Sequence, residues 1–131
     1  MGRKVNPISF RVGQLYTWSS RWFTDKKDYK NLLIEDFKIR KALLLRLKNA
    51  GISRVEIERS INKIDLEIYV ARPGIVIGRG GQGMDELKKY VLSLLVKKGE
   101  KKSSALKVNI NIQPVKEPNL DAYIVAQNIA D

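Results

Sequence analysis

Apolar side chains recur along this chain at two spacings, and the switches between them divide it into elements. From Tyr29 to Ala50 the spacing is helical: Leu33, Phe37, Leu44 and Leu47 form one stripe, and Leu32, Ile39 and Leu43 the adjoining one. Asp28 is the predicted N-cap, and Asn49-Ala50-Gly51 the predicted stop. The period then drops to two. Val55 and Ile57 alternate with Glu56 and Glu58, and Ile64, Leu66, Ile68 and Val70 alternate with Asp65, Glu67 and Tyr69. That pattern predicts two strands, each with one apolar and one wet face. Ile61-Asn62-Lys63 is short enough to join them as a hairpin.

Arg72-Pro73-Gly74 ends the second strand, and Pro73 suits the first position of a short helix through Ile75, Val76 and Ile77. Gly78, Arg79, Gly80 and Gly81 follow as a turn. A second amphipathic helix then places Met84, Leu87, Val91, Leu94 and Leu95 on one face. Lys97 to Ser104 reads as a basic, solvated loop. Leu106, Val108, Ile110 and Ile112 alternate with Lys107, Asn109, Asn111 and Gln113, which predicts a third strand. Pro114 and Pro118 bracket a linker, and Leu120 to Ala130 opens a further helix. The order predicts an α+β domain over residues 29–113, with helices packed on one face of a three-stranded sheet. An arm (residues 1–28) precedes it, and a linker with the start of a helix (residues 114–131) follows.

Charge changes this picture most. The 44% hydrophobic content of the 131 residues is ordinary, but 25 Lys+Arg against 14 Asp+Glu give a net charge of +11. Such an excess favours polyanionic partners and salt-sensitive association. Up to Thr24 the arm holds Arg3, Lys4, Arg11 and Arg21 and no acid. Asn6-Pro7 and Gly13 break any regular pattern there, so the arm is predicted to be extended. Tyr16, Trp18, Trp22 and Phe23 read first as anchors of the arm on the core and second as platforms for bases. Arg40, Lys41, Arg46 and Lys48 suit a helix C-terminus electrostatically as well as they suit RNA. Without cysteine or histidine, the chain has no disulfide framework, thiol nucleophile, ordinary zinc set or Ser-His-Asp triad. No apolar run approaches the roughly 20 residues that cross a bilayer, and no apolar stretch of a secretory signal follows the basic N-terminus.

The glycine turn carries the chemistry. Glycine alone lets a main chain turn freely at positive φ and approach a ligand closely. A helix that starts there presents unpaired N–H groups and its positive end, which suit phosphate. Arg79 adds a full charge, and Arg72 is a candidate second phosphate contact. Gly78-x-Gly80-x-x-Gly83 also fits the dinucleotide fingerprint, but Arg72-Pro73-Gly74 separates it from the strand. About 20 residues beyond it stand Lys101, Lys102, Ser103 and Ser104, with only Glu100 as an acid nearby. The remaining chain is too short for a second mononucleotide half, and no Gly-Lys-[Ser/Thr] makes a P-loop. No cofactor and no small-molecule substrate are expected. Asp85-Glu86 is explained as an acidic pair at a helix N-terminus, not as a catalytic site.

An Ile-Gly-x-x-Gly turn between two helices beside a strand pair resembles the KH domain, whose glycine loop clamps the backbone of about four single-stranded nucleotides. The longer blocks resemble one family more closely. Gly2-Arg3-Lys4-Val5-Asn6-Pro7 with Arg11-Val12-Gly13, and then Trp18-Ser19-Ser20-Arg21-Trp22-Phe23, are similar to the N-terminal segments of the ribosomal protein S-three family of the bacterial small subunit. Asn49 to Arg59, Ala71 to Gly81 and Pro118 to Ala130 resemble further blocks of that family, so the likeness spans the whole chain.

The resemblance implies a type II KH fold with a mixed sheet, the additional helix and strand preceding the core. It implies a non-enzymatic, cytoplasmic role in the ribosome, binding small-subunit ribosomal RNA in the subunit head near where mRNA enters. Neighbouring ribosomal proteins, and mRNA itself, are the further partners it implies. Carried onto this chain, the RNA contacts are Gly78, Arg79, Gly80, Gly81 and Arg72 in the domain and Arg3, Lys4, Arg11 and Arg21 in the arm. Ile75 and Ile77 would floor a groove for bases, although core packing is the commoner role of isoleucine. The family normally continues into a second α/β domain, so Asp131 is expected to stop inside a connecting helix. The basic stretch associated with unwinding mRNA would lie largely beyond that point, and the Glu100–Ser104 segment is longer than the family's usual loop. The alternative reading is a free-standing KH regulator of single-stranded RNA.

Overall fold

In the computed structural model, which describes residues 1–95 and 107–131, the arm is more structured than its sequence predicts. Lys97–Ser104 and Leu106 lie outside the described residues. Asn6-Pro7 starts a one-turn helix, α1 (Pro7–Phe10), and does not break it. The Asn6 side chain accepts hydrogen bonds from the N–H groups of Ile8 (2.9 Å) and Ser9 (3.3 Å), while proline takes the first helical position, where no N–H is needed. Farther on, Ser20–Arg21 form a short strand, β1, that pairs in parallel with β2 (Ile52–Ser60). The sheet therefore has four strands, not the three expected. A two-residue strand carries too little apolar alternation to be seen in sequence.

The next helix, α2 (Lys26–Arg46), begins earlier than predicted, with Asp25 as the N-cap and Asp28 in the first turn. One turn of tighter helix at Lys48–Ala50 follows, and the chain stops at Gly51, whose φ of +70° is the left-handed geometry that glycine tolerates best. Of the two stripes predicted on α2, one is buried deeper; on the other, Leu44 and Leu47 pack partly buried against the core while its N-terminal half is exposed. Ile39 and Leu43 are fully buried, whereas Leu33 is half exposed and Phe37 is 66% exposed. The stripes lie about 100° apart around the helix, so one side covers the first fully and the second only along the C-terminal half of α2.

Strands β2 and β3 (Lys63–Val70) form the expected antiparallel hairpin, and β4 (Lys107–Pro114) adds in parallel to β3. The order is β1-β2-β3-β4, and the sheet is mixed. Register aligns Ile57 with Leu66 and Leu66 with Ile110, making one apolar row across three strands. An irregularity between Ile52 and Arg54 lets Ile52 and Val55 both point inward although they are three residues apart. α2 and α4 (Gln82–Leu95) cover this face, with Ile39, Leu43, Leu87 and Val91 in one core with the strands. Burying each such side chain contributes about 1.5–3 kcal/mol. The other face of the sheet carries Glu56, Glu58, Asp65, Glu67 and Tyr69.

Residues 114–131 return to the domain. Helix α5 (Ala122–Ala130) buries Ile124 near Gly51, and Lys48 and Asp131 make an ion pair at 3.1 Å. No helix among the described residues is long and apolar enough to cross a membrane.

Candidate nucleic-acid interface

Pro73 opens α3 (Pro73–Ile77), a helix of little more than one turn, and Val76 is its one buried residue. With Val76 pointing into the core, its neighbours point out: Ile75 is 53% exposed and Ile77 41%. Core packing is thus not their role. After α3 the backbone passes through three positive-φ glycines, Gly78 (φ +69°), Gly80 (φ +61°) and Gly81 (φ +77°). Gly78, with ψ −172°, occupies a region open essentially to glycine alone. Arg79–Gly81 form a tight turn that runs directly into α4 at Gln82.

Gly78, Arg79 and Gly80 are exposed, and nothing stands within 4 Å of a Cβ built on Gly80 or Gly81. The outer side of the turn is therefore open backbone. Among the described residues no carboxylate pairs with Arg79 or Arg72, and both guanidinium groups face solvent. Helix α3, about 7.5 Å of rise, separates the two arginines. Arg72 and Arg79, unpaired among the described residues, thus flank α3 in sequence, the exposed Ile75 and Ile77 come between them, and the small-residue turn leads into the N-terminus of α4. That arrangement can hold a phosphodiester backbone and leave apolar surface for bases.

Gly83, the third glycine of the Gly78-x-Gly80-x-x-Gly83 spacing, has a packing role that the sequence reading did not assign. A Cβ there would lie 2.9 Å from the Ile77 carbonyl oxygen and closer still to that of Val76. In the dinucleotide fingerprint the third glycine likewise permits close packing of a helix. The same geometric requirement is met here between α3 and α4.

The basic residues elsewhere divide into free and engaged. Arg3, Lys4 and Arg11 are exposed on the arm, Arg11 donating one hydrogen bond to the Pro7 carbonyl (3.1 Å). Arg21 instead pairs with Glu58 (2.6 Å) and Glu56 (3.3 Å) on the wet face of β2. The hydrogen bond that Arg21 donates to Glu58 raises its pKa, and its two carboxylate partners make it the least available of the arm's cations. On α2, Arg46 lies over the Tyr90 ring at 4.3 Å, and Arg40 donates to Ser19, Ser20 and Val55. Burial lowers the pKa of Arg40, with the nearby Asp36 charge opposing that shift.

Of the four arm aromatics, one is a clear anchor. Trp22 donates from Nε1 to Asp36 at 2.6 Å, whereas Tyr16, Trp18 and Phe23 are exposed, Phe23 by 94%. Asp36 was also missed in the sequence. Its signal was an acid at the same spacing as Leu32, Ile39 and Leu43, on the stripe that faces the core.

A family model described as the KH domain matches residues 38–120, which include α3, the glycine turn and α4. The chain belongs to the KH domain family. Over 130 residues, 99% of its length, it is also 48% identical to the small ribosomal subunit protein uS3 of Desulforamulus reducens. The uS3 proteins of Bacillus cytotoxicus (47%) and Geobacter sulfurreducens (46%) match over the same share of this chain. The resemblance to the N-terminal KH portion of the bacterial S-three family is borne out, as is the α+β, mixed-sheet KH fold. The chain spans 55% of the Desulforamulus and Bacillus proteins and 57% of the Geobacter one, little more than half of each.

Proposed function

We propose that this chain is the ribosomal-RNA-binding KH portion of a small-subunit ribosomal protein, working without catalysis inside the cytoplasmic ribosome. The names of its relatives support the ribosomal assignment. The observation that carries the RNA assignment is the open glycine turn with an unpaired Arg79 at its tip. In this reading Gly78, Gly80 and Gly81 let phosphate reach the backbone, and Arg79 and Arg72 neutralise it. The free cations of the arm, Arg3, Lys4 and Arg11, grip folded ribosomal RNA in the subunit head, with Arg21 contributing least. The site lies near where mRNA enters, among other ribosomal proteins of the head.

The experiment is a double substitution, Arg79→Asp with Gly80→Asp, assayed for binding to single-stranded RNA. It places two negative charges where phosphate is expected, and binding should fall by at least tenfold. For the unaltered chain, log affinity should fall with log salt at about −0.7 per neutralised phosphate. A folded double variant that binds RNA unchanged would make the turn structural only. Co-sedimentation with small subunits after a high-salt wash separates the ribosomal role from that of a free regulator.

A further inference from the structure

A buried carboxylate sits where the arm meets the domain. Asp36, on the inward side of α2, is 1% exposed, and donors reach it from two other segments of the chain. Its Oδ2 accepts from Trp22 Nε1 (2.6 Å) and from Ser20 Oγ (3.2 Å), both at the root of the arm. Its Oδ1 accepts from Arg59 Nε on β2 (2.8 Å), and Arg59 Nη2 lies 2.6 Å from the same oxygen. Arg40 closes the ring, donating to Ser20 Oγ (2.7 Å) and to the Ser19 carbonyl (2.9 Å), which also accepts from the Ile57 N–H (2.9 Å). The Trp22 ring packs on Tyr29 with centroids 5.4 Å apart.

The rest of the arm has no comparable hold. Of residues 1–19 only Val12 is even partly buried. A two-residue parallel strand is too short to persist alone; the exposed Arg21 pairs with Glu58 and Glu56 add to it, and the buried hydrogen bonds at Asp36 are the part of the root shielded from solvent. A buried charge needs its full set of donors, and two of the donors to Asp36 come from the arm. Docking the root and satisfying the carboxylate are therefore one event.

We propose that Asp36 is a positioning residue for RNA binding: it pins the root of the arm to the domain, so that Arg3, Lys4 and Arg11 meet RNA already tethered at a fixed point. The gain is preorganisation, because ordering the root no longer falls on the binding step. The inference rests on the reading of those three cations as RNA contacts.

The test uses the arm-side donors, since Asp36→Asn would leave the buried Arg59 with Glu35 (3.2 Å) as its one carboxylate partner among the described residues and could unfold the domain. Trp22→Phe removes one donor and keeps the Asp36–Arg59 pair. Affinity for a transcript of small-subunit ribosomal RNA is measured for the unaltered chain, for Trp22→Phe, for Arg3→Gln/Lys4→Gln/Arg11→Gln, and for all four substitutions together. Trp22→Phe should weaken binding about tenfold, the equivalent of one lost hydrogen bond to a charged group. It should have no further effect once the three cations are gone. Trypsin should also cut after Arg21 faster in Trp22→Phe, at a temperature where the domain of both proteins stays folded. If Trp22→Phe weakens binding equally in both backgrounds, or leaves affinity or Arg21 protection unchanged, the positioning role is overturned. If the triple variant binds normally, the arm is not an RNA contact and the reading beneath the proposal fails with it. The glycine-turn assignment stands or falls by its own variant.

Discussion

Gly83 and Val76 meet backbone to backbone, with the Val76 carbonyl oxygen occupying the place where a side chain on residue 83 would begin. The contact joins the first turn of α4 to the end of α3 and so sets the angle at which the glycine turn leaves the domain. Both obstructing groups are main chain and cannot rotate aside. Gly83→Ala should therefore destabilise the domain by about 1–3 kcal/mol, the usual cost of overpacking. A urea titration should show a lower midpoint with an unchanged slope. A midpoint equal to that of the unaltered chain would mean that α3 and α4 can separate freely.

Phe37 and Leu43 share α2 but not an environment. Leu43→Ala should cost about 2–5 kcal/mol because it empties a fully buried position. Phe37→Ser should stay within about 0.5 kcal/mol, as for most exposed positions. Comparing the two thermal transitions checks which stripe of α2 is buried deeper. Equal losses would contradict the orientation described.

Asp121 ties α5 to β2. Partial burial pushes its carboxyl pKa up. The Ser53 hydroxyl, the N–H groups of Ile124 and Tyr123 and the charge of Arg54 outweigh that and hold it below the usual carboxylate value. A carboxylate whose pKa is lowered by folding contributes stability above its unfolded pKa of about 4. That contribution is lost as pH falls through the lower, folded value. The amide signals of Tyr123 and Ile124 should stay unchanged from pH 7 to about 4 and move below that. Asp121→Ala should lose about 1 kcal/mol of cap stabilisation at pH 7 and lack the acid step. An acid step of the same size in the variant would assign it to another group.

Much of the frame was legible in the residues. The alternation of Ile64, Leu66, Ile68 and Val70 depends only on which way successive side chains point, so it announced β3 without any tertiary information. Pro73 and Gly51 marked element ends for equally local reasons, and Gly78, Gly80 and Gly81 needed only their lack of a Cβ. Arg79 in a turn, within a basic chain, pointed to phosphate on the same local grounds.

What stayed hidden depended on contacts distant in sequence. The arm's strand could not be seen because two residues have no period, and its pairing comes from β2, some 37 positions away at Arg21 and Glu58. Whether Leu33 or Leu32 faced inward on α2 was undecidable from spacing, because adjacent stripes look alike until a sheet buries one of them deeper. The same holds for charge. Arg21 and Arg79 are the same residue type, yet one is neutralised by Glu56 and Glu58 on β2 and the other has no carboxylate partner among the described residues. Local chemistry thus set the elements and the turn, while long-range packing chose the buried faces and paired some of the cations with carboxylates.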